Sequence, residues 1–112
     1  MGTHFLPLFQ IRKIKMPKKL LMLAMSPKKG IVETSDIHDA LDRALDWLQI
    51  SPNCWLLFTS SDSDKWFDRI KKITEKWGDN FLIMELNPHH RQGWLKSSVW
   101  DWINERTDEV DN

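Results

Sequence analysis

Acidic side chains that could bind a divalent cation occur at two places in the sequence. Asp62, Asp64 and Asp68 follow a serine pair, and Glu85 lies near Asp79. Carboxylate oxygens are the ligands that magnesium and calcium prefer, but a calcium loop also needs a central glycine and a terminal glutamate, and TSSDSDKWFDRI has neither at the required offsets. We therefore interpret Ser61, Asp62 or Ser63 as the cap of a helix and predict no metal site.

Histidine and cysteine offer few combinations for zinc or nucleophilic chemistry. His89 and His90 are adjacent, so their rings point apart in an extended loop, and no cysteine lies near them in sequence. The single cysteine, Cys54, stands inside the apolar run CWLLF, which favours a buried thiol over a reactive one. The four glycines lack the spacing of a phosphate-binding loop. The sequence thus predicts no catalytic residue and no cofactor.

Seven tryptophans stand in a chain without tyrosine. Four fall on predicted core positions, namely Trp55, Trp66, Trp77 and Trp102. Three others lie off these positions, namely Trp47, Trp94 and Trp100. Exposed indole rings serve in protein interfaces or stack on nucleobases, because both uses need a large rigid surface. We predict that these three are interface residues, with nucleobase stacking or a place in the core as the alternatives.

Basic and acidic residues are unevenly distributed, although the formal net charge is zero. Seven of the sixteen basic residues lie between positions 12 and 29, before the first acid, Glu33. They are Arg12, Lys13, Lys15, Lys18, Lys19, Lys28 and Lys29. Nine basic and sixteen acidic residues follow position 29. The pattern predicts that the basic segment binds nucleic acid or the acidic surface of another copy, and a solvated basic arm is the alternative.

The first half of the chain shows a change of apolar periodicity. A continuous apolar run over 20–25 indicates a buried strand that Pro27 and Gly30 end. Helical spacing over 35–48 then predicts a first helix, with Thr34 or Ser35 as its cap. A short strand and a turn over 51–53 follow.

The second half predicts two further strands and two helices. A strand over 54–59 precedes a helix whose apolar face runs from Trp66 to Trp77 and which Gly78 ends. A strand over 80–86 comes next, and Ser97 or Ser98 is predicted to cap a short final helix.

This order of elements predicts an α+β fold, a ferredoxin-like split β-α-β sandwich (βαββαβ) with an extra C-terminal helix. Two helices would cover one face of an antiparallel sheet, and the last helix, the N-terminal arm or a second subunit would cover the other. We assign residues 1–16 to a poorly ordered arm, 17–106 to a single ferredoxin-like domain and 107–112 to an acidic tail. No apolar run approaches the ~20 residues of a membrane span, so we expect a cytoplasmic protein.

The strands WLLFTSSD and FLIMEL, together with GWL and VWDWI, resemble the SinR-like proteins. These are relatives of the small subunit of the CRISPR adaptation machinery and, more distantly, of VapD-type ribonucleases, and the similarity covers roughly residues 17–104. The resemblance implies a ferredoxin-like homodimer whose sheets meet and whose C-terminal segment closes the interface, and it implies an association with nucleic acid. Metal-dependent members of the CRISPR group carry an aspartate at the end of the first strand. This chain has Ala24, Met25 and Ser26 there, so the shared magnesium site is not expected.

The leading hypothesis for function is a non-catalytic dimeric module that associates with nucleic acid or with a protein partner. Its partners would be a second copy of the chain and possibly RNA or DNA, but no membrane. A metal-dependent nuclease of the VapD or CRISPR-subunit type is one alternative, and it rests on the resemblance. A structural or accessory module for protein–protein interaction is another.

Overall fold

The computed structural model describes residues 17–28, 30–75 and 80–110. Within them lie four strands and three helices. In chain order these are β1 (Lys19–Ser26), α1 (Thr34–Leu41), β2 (Asp46–Ser51), β3 (Cys54–Thr59), α2 (Ser63–Thr74), β4 (Asn80–Leu86) and α3 (Ser97–Thr107). Several sequence predictions fall outside the described residues, namely those for the arm 1–16 with Arg12, Lys13 and Lys15, and those for Lys29, Trp77 and Gly78.

The four strands form one antiparallel sheet in the order β2-β3-β1-β4. β1 and β3 are therefore central, and β2 and β4 lie at the two edges. β1 pairs with β4 in a regular register that runs from Leu20 opposite Leu86 to Ser26 opposite Asn80. The prediction of an α+β fold is confirmed, since the chain combines a four-stranded antiparallel sheet with three helices.

One face of the sheet packs against α1 and α2. Alternate residues of the central strands point to this face, among them Leu21, Leu23 and Trp55, and all three are fully buried. Ile37 from α1 and Ile70 from α2 complete the same core cluster. This helix face therefore holds the main core of the domain.

The opposite face of the sheet packs against α3. Its core cluster consists of Leu20, Leu56, Phe58, Val99, Ile103 and Val110. β1 is thus buried on both faces, which explains its continuous run of apolar residues. Of the three candidates for covering this face, the last helix does so over part of the sheet. No helix within the described ranges is long and apolar enough to cross a membrane.

The segment after α3 stays attached to the domain. Val110 is buried and forms a parallel bridge with Lys18, next to β1. Thr107 is buried as well, and its hydroxyl donates to the carbonyl of Ile103 over 2.8 Å. The packed domain therefore extends beyond the predicted boundary at residue 106.

The first helix is shorter than the sequence predicts. It ends at Leu41, and the residues from Asp46 onward form β2 instead. The amide of Leu45 donates to the carbonyl of Phe58 over 2.8 Å and starts the pairing with β3. The prediction was wrong because sheet pairing overrides the helical spacing of apolar residues, which cannot by itself exclude a strand. Nor does either predicted residue cap α1: its N-cap is Glu33, without a side-chain hydrogen bond. The predicted caps of α3 are wrong as well, because Ser97 and Ser98 lie inside that helix and its N-cap is Lys96.

The second helix begins as predicted. The Oδ1 atom of Asp62 accepts a hydrogen bond from the amide of Lys65 at 3.0 Å, which satisfies one of the free amides of the first turn. Trp66 anchors this helix to the sheet, because its buried indole donates from Nε1 to the hydroxyl of Thr59 over 3.1 Å.

Candidate interaction surface

The loop between β4 and α3 is fixed by its own polar side chains. Arg91 donates from Nη1 to the carbonyl of Pro88 at 2.5 Å and from Nη2 to Oδ1 of Asn104 at 2.6 Å. The amide of His89 donates to Oδ1 of Asn87 at 3.0 Å, and the amide of His90 donates to the Asn87 carbonyl at 3.1 Å. The arginine that the sequence places here thus joins the loop to α3.

The two histidines have different surroundings. Nε2 of His89 lies 2.8 Å from the carbonyl oxygen of Val110. Since a carbonyl can only accept, the ring must donate a proton from Nε2, and His89 therefore ties the loop to the segment after α3. His90 lies instead at the rim of a cleft. Over the described ranges, no group of three histidine, cysteine or acidic residues could hold a metal ion.

An apolar cleft of about 320 Å³ opens between the loop, α3 and the sheet. Its floor and walls are formed by Leu20, Met22, Ile50, Leu56, Leu86, Leu95, Trp100 and Ile103. Asn87, His90, Arg91 and Gln92 add polar groups to its lining. Gly93 lies over the Trp100 ring, where an added Cβ would meet the ring at an ordinary contact distance of 3.5 Å. The cleft is thus an apolar depression with polar groups on its loop side.

Apolar residues continue from the cleft to the edge of the sheet. Met22, in the cleft, lies directly opposite Met84 on β4, and Ala24 lies opposite Leu82. Leu82 remains 51% exposed and Met84 48% exposed, because α3 does not reach this corner of the sheet. Leu95 and the almost fully exposed Trp94 belong to the neighbouring loop. We call the cleft together with Leu82, Met84, Trp94 and Leu95 the apolar surface.

The helix side of the same edge is also apolar. Phe81 of β4 packs against Phe67 of α2, with ring centroids 5.4 Å apart. Phe67 nevertheless stays 45% exposed, and the Lys71 ammonium lies 5.5 Å from its ring centroid. Exposed apolar side chains therefore flank β4 on both faces of the sheet.

The predicted interface tryptophans have three different environments. Trp94 is exposed on the apolar surface. Trp100 lines the cleft and packs against the α3-side core. Trp47 points to the helix face, packs against the main core and donates from Nε1 to Oδ1 of Asp42 at 3.2 Å. Trp100 and Trp47 thus lie on opposite sides of the sheet, and Trp94 is exposed in the loop before α3.

The described lysines of the basic segment do not form one cluster. Lys18 makes an ion pair with Glu109 at 2.7 Å. Lys19 begins β1 and Lys28 follows its other end, and eight residues of strand span about 26 Å. Their binding to nucleic acid stays a prediction, as does that of the four basic residues outside the described ranges.

No protein-family model, curated protein or solved structure matches this chain.

A second cavity, of about 380 Å³, lies at the β2 edge and is polar. Asp46 of β2 accepts hydrogen bonds there from Trp102 Nε1 at 3.1 Å and from Nη2 of the half-buried Arg106. The Arg106 guanidinium also stacks 4.2 Å from the Trp102 ring centroid. The carboxylate of Asp46 and the guanidinium of Arg106 thus join β2 to α3, and we assign this cavity a structural role.

Within the described ranges, two side chains have clearly shifted pKa values. Burial raises the pKa of the Cys54 thiol above its ordinary value, and a hydrogen bond with Ser51 opposes this shift. Burial, and secondarily the positive charge of Arg43, lowers the pKa of Arg69, whose guanidinium lies 4.8 Å from the Trp66 ring centroid. A neutral thiol at Cys54 agrees with a structural role.

The sequence does not single out Leu82 and Met84, and it places Phe67 on the apolar face of the second helix, where the side chain in fact stays 45% exposed. The run FLIMEL has apolar residues at nearly every position, which indicates a strand buried on both faces. The exposure of Leu82 and Met84 follows from the position of β4 at the sheet edge. No residue on their face of the strand signals this exposure, because the charged Glu85 lies on the helix face.

Proposed function

We propose that this chain is a ferredoxin-like association module that binds another protein through the apolar surface. The observation that carries the proposal is the half-exposed pair Leu82 and Met84, which continues an apolar cleft through Met22 opposite Met84. The exposed Trp94 stands next in sequence to Leu95, which lines that cleft. Contiguous exposed apolar surface with a polar rim is typical of protein interaction sites.

The energetics favour a protein partner over permanent exposure. Burial of the exposed half of Leu82 or Met84 contributes about 1 kcal/mol for each side chain. Trp94 adds a large rigid ring of the kind that dominates binding energy at protein interfaces. The ordered loop lowers the entropic cost of association, because Arg91 and His89 already hold it in place.

The order of elements supports the ferredoxin-like assignment. β1-α1-β2-β3-α2-β4 is the βαββαβ succession, and α1 and α2 share one face of an antiparallel sheet. The added helix α3 covers part of the other face, so a partner would meet the remaining corner near β4. The first strand ends in Ala24, Met25 and Ser26, without the carboxylate that a nuclease of the resembling group would use, which supports a non-catalytic role.

The proposal can be tested in the source cell with an affinity-tagged chain. The wild-type chain, a Met84→Lys variant and an Ile31→Lys control are isolated, and the mass and composition of each native complex are measured. Ile31 is a matched control because it is 59% exposed and lies outside the apolar surface. We expect a defined complex, with a second copy or another protein, that Met84→Lys removes and Ile31→Lys retains. A wild-type chain that is monomeric and without a specific partner would refute the proposal.

A further inference from the structure

The two edges of the sheet differ in how well they are protected against pairing with another chain. β2 contains an irregularity between Gln49 and Ser51, and Asp46 at its start is bound by α3. β4 pairs with β1 in unbroken register over seven residues, and it contains neither lysine nor proline. Natural proteins protect edge strands with bulges, charges or prolines, so a regular apolar edge indicates a strand that receives a partner strand.

We propose that the partner is a second copy of this chain, whose β4 pairs antiparallel with β4 so that the two sheets become one, with the twofold axis at Ile83. This inference rests on the proposed function, since it names the partner of the same surface. It goes further by fixing the strand, the direction and the register.

The distribution of apolar residues favours a twofold arrangement. A twofold axis perpendicular to the sheet keeps the α3 sides of both copies on one face and their helix sides on the other. Leu82 and Met84 would then meet their counterparts on one face, and Phe67 would lie beside the junction on the other. Both groups are about half exposed in the single chain, as an isologous contact requires.

The alternation of side chains restricts the register. Directly opposed residues in an antiparallel pair point to the same face, so a self-paired strand must be centred on a residue and not between two residues. Ile83 is the middle residue of Asn80–Leu86, and centring on it is the one choice that pairs all seven residues. Leu82 then lies opposite Met84 of the second copy, and apolar side chains meet apolar side chains.

The charges agree with this register. Glu85 of the second copy would lie opposite Phe81, which packs against Phe67 beneath the Lys71 ammonium. An exposed carboxylate thereby approaches an exposed ammonium of opposite sign, and the twofold axis repeats the contact. This register opposes no like charges within β4. Glu85 would lie opposite Glu85 of the second copy only if the twofold axis were at Glu85.

Cysteine crosslinking tests the register directly. Leu82→Cys and Met84→Cys are made separately in a Cys54→Ala background, purified and oxidised alone and as an equal mixture. Directly opposed residues have Cα atoms about 4.5–5.5 Å apart, within the range that a disulfide spans, whereas diagonal neighbours about 7–8 Å apart are too distant. We expect disulfide-linked dimers in the mixture at about tenfold the level of either variant alone. Ile31→Cys in the same background measures random collision.

Every other outcome would overturn the register or the partner. Strong crosslinking of Leu82→Cys alone would centre the axis on Leu82, and strong crosslinking of Met84→Cys alone would centre it on Met84. A mass of two chains by light scattering, without any crosslink, would place the contact elsewhere on the chain. A complex with a different protein, removed by Met84→Lys, would overturn this inference but leave the proposed function standing. Wild-type monomers with no partner would overturn both.

Discussion

The two edge strands of the sheet, β2 and β4, differ in how their side chains protect the unpaired edge of the strand. β2 is irregular, and its polar residues are bound within the domain: Asp46 by Arg106 and Trp102, and Gln49 by Thr34. β4 is regular, and its side chains form no hydrogen bond with the other described residues. The chain thus uses its polar side chains to close one edge, and it leaves the other with apolar residues on both faces.

The two edges should therefore contribute to different properties: β2 to the stability of the domain, and β4 to its association. Substitutions at β2 should affect folding, since its contacts are made within the chain. Substitutions at the exposed positions of β4 should affect assembly, because these side chains contact little of their own chain. The comparison between the edges can therefore be tested by measuring both properties for the same variants.

The largest effect on association is expected when lysines are placed on β4, which has none of its own. The double variant Leu82→Lys/Met84→Lys places four ammonium groups along the junction of two copies. We expect the dissociation constant of the dimer to rise by at least about 100-fold, because desolvated or like charges at an interface cost several kcal/mol. The free energy of unfolding should change by less than about 0.5 kcal/mol, as is usual for exposed positions.

Sedimentation equilibrium over a concentration series, with urea unfolding in parallel, measures both quantities. An Ile31→Lys variant controls for an added charge at an exposed apolar position. An unchanged dissociation constant in the double variant would show that the two edges do not differ in function.

A smaller effect is expected at β2, on the stability of the domain and not on its association. Asp46→Ala removes the acceptor for Arg106 and Trp102, and leaves a half-buried guanidinium without its carboxylate. We expect a loss of about 2 kcal/mol in the free energy of unfolding, because hydrogen bonds to charged groups contribute more than neutral ones. The melting temperature should fall by about 10 °C for a domain of this size.

Asp46→Asn is the matched control, since its amide oxygen still accepts from Trp102 while the charge is lost. We expect it to lie between the wild-type chain and Asp46→Ala in melting temperature. The dissociation constant of the dimer should stay the same in both variants. A weakened dimer with unchanged stability would instead assign association to the β2 edge.

Much of the architecture could be predicted from the sequence, for reasons that particular elements show. The strands over 54–59 and 80–86 match their predicted bounds, because turn or cap residues limit each apolar run. The first helix was predicted too long, since Leu45 and Leu48 fit helical spacing but their backbone pairs with β3. Local patterns describe single segments well and miss pairing between segments.

The candidate surface was only partly visible in the sequence for the same reason. The exposure of Trp94 was predicted, because it falls off every apolar stripe. Leu82 and Met84 were not singled out, since their role depends on the position of β4 in the sheet order. Lys18 was assigned to nucleic-acid binding by charge alone, and only the fold reveals that Glu109 lies beside it.

The smallest predicted effect is a pH dependence of stability from the Cys54 thiol, which reports how well the β2 edge excludes water. Cys54 lies opposite Ser51, where the pairing of β2 and β3 becomes irregular, and burial raises its pKa. The folded chain therefore holds the thiol proton more tightly than the unfolded chain, whose thiol has the ordinary pKa of 9.0. It follows that stability is unaffected by this group below that pH and falls as the pH rises above it, by at most about 1.4 kcal/mol per pH unit.

Urea unfolding of the wild-type chain and of Cys54→Ala between neutral and alkaline pH measures this contribution. We expect the two stability curves to run parallel up to the ordinary thiol pKa, and the wild-type curve to fall more steeply beyond it. Parallel curves over the whole range would mean that water reaches the thiol freely, so the β2 edge would be as open at its irregular end as β4 is along its length. The contrast between the edges would then rest on Asp46 and α3 alone.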